Sequence, residues 1–165
     1  MIHYQPCDQQ NFAEAFSFLC STIVESQSSF LTPEHVKQEI SLKKSVIEER
    51  IKAALIDDDK YVGIAKKDNK IVGFISARVV DDAVFIDYLY VDKNHRGQGI
   101  GPLLIKACIA ELRALNIFSK IRLQVHTKNQ RAIEKYYKEG FKQIGYKEKE
   151  DCRYLIMERE VDNYN

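Results

Sequence analysis

Between positions 96 and 101 the chain reads Arg96-Gly97-Gln98-Gly99-Ile100-Gly101, and its surroundings make these six residues the strongest constraint on the fold. The preceding run, residues 83–91 (AVFIDYLYV), is rich in β-branched and aromatic side chains and predicts a strand. After it, Ile100, Leu103, Leu104, Ala107, Cys108, Leu112 and Leu115 recur at helical spacing. A strand that turns through glycines into a helix is the opening of a βαβ unit and points to the α/β class. The first turn of a helix leaves backbone N–H groups unbonded and carries partial positive charge, so it is a seat for phosphate. Glycines let the backbone close around a ligand, and Arg96 adds a fixed positive charge. The chemistry implied is binding of a pyrophosphate; the plain alternative is a glycine-rich turn with no ligand.

Two familiar phosphate loops do not fit. A Walker-type loop ends in Gly-Lys-Ser/Thr, and this one runs into Pro102-Leu103. A dinucleotide fingerprint would carry its third glycine at Pro102. The Arg-x-x-Gly-x-Gly pattern resembles instead the acyl-coenzyme A loop of the GNAT family of N-acetyltransferases. A second segment supports the likeness: Asn129, Ala132, Ile133, Tyr136, Gly140 and Phe141 are spaced as in that family's Asn-x-x-Ala-Ile…Tyr…Gly-Phe helix. Read physically, Asn129 is an N-cap, Ala132, Ile133 and Tyr136 share one face, and Gly140 suits a C′ position.

The remaining periodicities predict one domain over 1–165. Expected are a strand at 2–5, a helix capped by Asp8 through Phe12, Ala15, Phe16, Leu19 and Ile23, and a helix from Thr32-Pro33 to about 56, with a break near 41–44. Strands follow at 60–66, 71–80 and 83–91, with turns at 68–70 and 81–82. After the loop come a helix to about 116, a strand at 121–126, the Asn129 helix, and strands at 141–146 and 152–160. This order matches the resembling family: a mixed sheet of about seven strands flanked by about four helices.

The resemblance implies acetyl-coenzyme A as cosubstrate and a primary amine as acceptor. It places pantetheine along the backbone of Leu89, Tyr90 and Val91, the pyrophosphate on Arg96, Gly97, Gln98, Gly99, Ile100 and Gly101, and a cofactor hydrogen bond at Asn129. Tyr136 matches the residue that in many members gives a proton to the departing thiolate; a core aromatic is the plain alternative. The strand glutamate that several members use as base is replaced by Gln124, which cannot take a proton. Asp87 is the substitute candidate, since strand alternation sets it on one face with Ala83, Phe85, Leu89 and Val91, where an unpaired carboxylate is costly. The alternative for Asp87 is an ion pair, with Arg122 as partner; His126 is a further candidate base, whereas His95 reads as a solvated turn residue. A noncatalytic acyl-coenzyme A-binding module is the second functional reading, and a longer acyl group is a third.

Composition narrows the partners. With 25 Lys and Arg against 24 Asp and Glu, nothing favours nucleic acid or a membrane surface. The start MIHYQPC is not a secretory signal, and no apolar stretch has spanning length. Cys7, Cys20, Cys108 and Cys152 are scattered, and no His or Cys spacing suggests a metal, so the expectation is a cytoplasmic protein with reduced thiols. A monomer or homodimer is expected. The acidic runs at 57–59, 81–82 and 148–151 fall in turns and keep loops hydrated; around an acceptor cleft they would favour cationic amines such as polyamines or basic peptides.

Overall fold

A computed structural model describes residues 1–161. In chain order the elements are β1 (Ile2–Pro6), α1 (Phe12–Gln27), α2 (Pro33–Ala54), β2 (Lys60–Lys67), β3 (Lys70–Val80), β4 (Ala83–Val91), a 3₁₀ turn (Lys93–His95), α3 (Ile100–Arg113), β5 (Lys120–His126), α4 (Gln130–Lys138), β6 (Lys142–Lys149) and β7 (Cys152–Glu160). The seven strands form one sheet in the order β1-β2-β3-β4-β5-β7-β6, with β4 and β5 parallel and every other neighbouring pair antiparallel. The expected α/β architecture is therefore the one observed. The last four residues of the expected domain, 162–165, lie outside the described part.

Local chemistry explains the helix starts. Thr32 Oγ1 accepts the His35 N–H at 3.3 Å with Pro33 at the first helical position, and Asn129 Oδ1 accepts the Ala132 N–H at 3.2 Å. Asp8 does not cap α1. Its Oδ1 instead accepts the N–H groups of Gln10 and Asn11, while Asn11 Oδ1 accepts the Asp8 N–H. These reciprocal bonds close a turn that moves the helix start to Phe12. Helix α2 is continuous through 41–44, because Val36, Ile47 and Ile51 keep one buried face across that polar stretch.

Two apolar cores lie on opposite faces of the sheet. On one, Leu104, Ile105, Cys108, Ile109 and Leu112 of α3 meet Ile75, Val84, Ile121, Leu123 and Met157. On the other, Phe12, Phe16 and Leu19 of α1 and Ile51 of α2 meet Val62, Ile64 and Phe74. The second pair of helices packs on β2, β3 and β4. Farther along that face, Gln124 in the middle of β5 is exposed, and a cavity of about 330 Å³ lies among Arg78, Phe85, Arg122, Ile144 and Ile156.

The sheet also opens at its centre. Strands β4 and β5 pair only from Ala83↔Lys120 to Ile86↔Leu123. Beyond that, β4 stays with β3 as far as Val91↔Gly73, and β5 stays with β7 as far as His126↔Tyr154. The two parallel strands thus part, and residues 87–91 have a free edge. A bulge falls at the same place: Ser76 pairs with Tyr88 and Ala77 with Ile86, leaving Asp87 as the extra residue.

Candidate active site

The glycine loop caps the open end of the split. Gly97 (φ 77°) and Gly99 (φ 79°) take left-handed backbone angles, and Gly99 is the N-cap of α3. A Cβ built on either would meet nothing within 4 Å, so both glycines border open space at the start of α3. Ile100 and Gly101 are buried in the first turn of α3. A Cβ on Gly101 would stand 3.3 Å from Lys135 Nζ, which puts the α4 ammonium against the positive end of α3. Glu139 Oε1, 3.8 Å from the ammonium, offsets part of that charge, and a bound anion would offset the rest. Sequence reasoning missed Lys135, since a lysine on an amphipathic helix reads as a solvated residue.

The free edge of β4 is aimed at this loop. The Asp92 N–H donates to Val72 O, on the β3 side. In an antiparallel pair the bonding direction alternates by residue, so the Tyr90 N–H also turns toward β3, while Leu89 and Val91 turn theirs to the open side. Arg96 Nε donates to Val91 O at 3.1 Å, in keeping with that direction. An extended polar chain could pair here as an added strand, ending at the helix start.

Across the split stands α4. Tyr136 packs beside the α3-side core, edge-on to Phe141 with ring centroids 5.5 Å apart. Burial pushes its hydroxyl above the ordinary phenol range, with Glu139 and Tyr90 adding to the rise, so it keeps its proton at neutral pH. Tyr137, one residue on, is exposed. Asn129 spends its Oδ1 on the helix cap, leaving its amide donors for a ligand.

The bulge changes which residues share a face with Asp87. Val84 and Ile86 belong to the α3 side, but so do Leu89 and Val91, whereas Tyr88 and Tyr90 belong to the α1/α2 side. The alternation shifts phase at Asp87, which therefore does not share a face with Leu89 and Val91. It bonds Arg78 Nε through both oxygens, at 3.1 and 3.2 Å, and Arg78 in turn stacks over Phe85 at 4.9 Å. The partner is thus Arg78 rather than Arg122, whose Nε binds Glu158 at 2.6 Å. Burial raises the Asp87 carboxyl, and the Arg78, Arg50 and Lys60 charges oppose that rise. Asp87 and the exposed Gln124 open onto the uncovered part of the sheet face.

The two remaining histidine candidates have other duties. His95 Nδ1 lies 2.7 Å from Asp92 Oδ2 within the 3₁₀ turn. His126 is 9 % exposed, between Phe30 and Tyr154 with ring centroids at 5.1 and 5.3 Å. Its Nδ1 accepts the Lys128 N–H at 3.1 Å, so a neutral ring carries its proton on Nε2. That leaves no ring nitrogen free to take a proton from an amine, and His126 drops out as a base in this geometry.

The glycine-lined helix start, the open strand edge and the protonated tyrosine thus surround one split in the sheet. The acetyltransferase (GNAT) family model matches residues 23–141, and the chain belongs to that family. It is 31 % identical over 88 residues to human N-acetyltransferase 8, a match covering 50 % of this chain and 38 % of that protein. It is 34 % identical over 58 residues to a probable spermine N(1)-acetyltransferase of Bacillus subtilis subsp. natto, covering 35 % of this chain and 38 % of the relative. The matches thus span well under half the length of both curated relatives. The fold is similar to that of the PaiA N-acetyltransferase from Thermoplasma acidophilum in complex with coenzyme A. The TM-score is 0.80 at 19 % identity, and the match covers 98 % of this chain and 99 % of that one.

His126 gives the site a pH signature. Burial holds its imidazole below the usual value of 6.5, with Lys128 acting in the same direction and Glu39 against it. The unfolded chain therefore binds the proton first as pH falls. The stability that neutral His126 contributes is complete above about pH 6.5 and is lost as pH falls through the lower, folded value. Melting temperature should drop between about pH 7 and pH 5 in the wild type, and less steeply in His126→Gln. Parallel curves for the two proteins would rule out this linkage.

Proposed function

We propose that this chain is an N-acetyltransferase that moves an acetyl group from acetyl-coenzyme A to a primary amine, by direct attack with both substrates bound. The observation that carries this reading is the free edge of β4 running into the glycine-lined start of α3, with the Lys135 ammonium beside Gly101 as well as near Glu139. Acetyl-coenzyme A supplies a thioester acyl group and a thiol leaving group. The N–H groups of Leu89 and Val91 line the carrier arm and polarise the carbonyl, while the backbone of Gly97 to Gly101, with Lys135, holds the diphosphate. Asn129 donates to the carrier through its amide. As the amine nitrogen bonds the acetyl carbon and the carbon–sulfur bond breaks, Tyr136 gives its proton to the sulfur. The ammonium proton of the acceptor goes first to Asp87, held ready by Arg78, directly or through water. The second proton, which the nitrogen sheds on becoming an amide, returns to the Tyr136 oxygen, so one proton is released overall.

The acceptor enters over the face that α1 and α2 leave uncovered. At one rim two carboxylates, Glu39 and Glu150, share the single ammonium of Lys43 at 3.2 and 3.7 Å and both bear on Tyr154, a net negative balance that suits a cationic acceptor. The similarity to a probable spermine acetyltransferase points the same way. Gln124, in place of a carboxylate, favours a second reading in which the chain binds acyl-coenzyme A without transferring the group. Coenzyme A release across an amine panel separates the two.

Tyr136→Phe keeps the ring and removes only the hydroxyl. It should hold cofactor affinity within a few-fold and lower kcat by about 10- to 1000-fold. Full activity would reduce Tyr136 to packing. Asp87→Asn should lower the rate most near neutral pH and recover at higher pH, where more of the amine is already neutral. An effect on the Michaelis constant alone would make Asp87 a holder of the cationic acceptor instead, and normal kinetics at every pH would remove both roles.

A further inference from the structure

Arg96 opens the glycine loop, and the family resemblance assigns its charge to the diphosphate. Its guanidinium is already committed elsewhere. Nε donates to Val91 O at 3.1 Å, while Nη1 and Nη2 donate to the two carboxylate oxygens of Glu25, Nη1 at 3.3 Å. This is a fork-on-fork pair, the arrangement in which arginine gains most in direction as well as in energy. Arg96 thereby joins three elements: the end of β4, the start of the loop and the last turns of α1, 71 positions away in sequence. A second contact lies beside it. The Gln27 side chain, two residues beyond Glu25, lies by the Tyr90 hydroxyl and opposes the rise that burial imposes on it. The end of α1 is thus fastened to the loop and rests beside the strand that feeds it.

From this geometry we infer that Glu25 is a positioning residue of the cofactor site: it holds Arg96 as a strut that fixes the loop, and backbone N–H groups with Lys135 take the diphosphate. This rests on the proposed use of a coenzyme A substrate at the loop. Gly97 and Gly99 permit the loop its left-handed turns but also leave it free to sample others. The strut removes that freedom at the residue next to Gly97, and it does so through a carboxylate that never touches the ligand. If Arg96 instead bound the diphosphate itself, Glu25 would be a competitor for it. The two assignments predict opposite signs for one substitution.

The test is titration of coenzyme A into the full chain and Glu25 variants, followed by calorimetry. Glu25→Gln keeps the shape and loses the charge; it should weaken coenzyme A binding by about 10-fold, one charge-assisted pair's worth. Arg96→Lys, which keeps the charge and loses the fork, should weaken it similarly. The exchange Glu25→Arg with Arg96→Glu should recover part of the loss, because the strut is rebuilt with its ends reversed. Transfer from acetyl-pantetheine, which has no diphosphate, should be the same in wild type and Glu25→Gln; a merely folding-related role would lower it too. Tighter coenzyme A binding in Glu25→Gln, or abolished binding in the exchanged pair, would overturn the inference and make Arg96 a direct ligand. Normal coenzyme A binding with no acetyl transfer would count against the proposed enzyme activity and leave the strut intact.

Discussion

The site depends on β4 and β5 ceasing to pair after Ile86 and Leu123. Parallel neighbours in the middle of a sheet normally stay bonded along their length, since buried N–H and C=O groups left without partners are costly. Here each strand keeps its other neighbour, so only one edge of β4 is sacrificed, and it faces a cleft rather than an apolar core. The Asp87 bulge belongs to the same event. It increases local twist where the strands part and turns Leu89 and Val91 to the α3 side, while Asp87 stays on the face of Phe85, where Arg78 receives it.

Electrostatics around the cleft is divided by side. At the loop end, the α3 start presents unbonded N–H groups, and Lys135, loosely paired with Glu139 at 3.8 Å, adds positive charge beside it. On the face left open by α1 and α2, charges are paired: Asp87 with Arg78 and Glu158 with Arg122. Helix α1 touches both, packing on β3 and β4 while reaching the loop through Glu25.

What the sequence made legible was whatever the backbone itself requires. Gly97 and Gly99 stand where φ is positive, Asn129 where a helix needs a cap, and the order of periodic segments sets the sheet topology. The faces of Leu89 and Val91 relative to Asp87 were not legible, because a bulge is fixed by the register of β4 against β3 and shifts every later residue by one. The pair Arg78–Asp87 follows from the same register. Glu25 was hidden by distance in sequence, and Lys135 because a lysine on an amphipathic helix reads as a solvated residue until α3 is placed beside it. Asp8 misled for a local reason: it satisfies a turn before the helix rather than the helix itself.

The most direct measurement is the melting temperature with and without millimolar coenzyme A, in the wild type and in Gly99→Val. A ligand that binds only the folded chain raises the melting temperature by mass action. Gly99 sits at φ 79° with open space where its Cβ would be, so valine strains the turn and fills the seat without disturbing the core. The account predicts a clear rise in the wild type and none in a variant that still melts cooperatively. An unshifted wild-type curve, or an equal rise in both proteins, would contradict it.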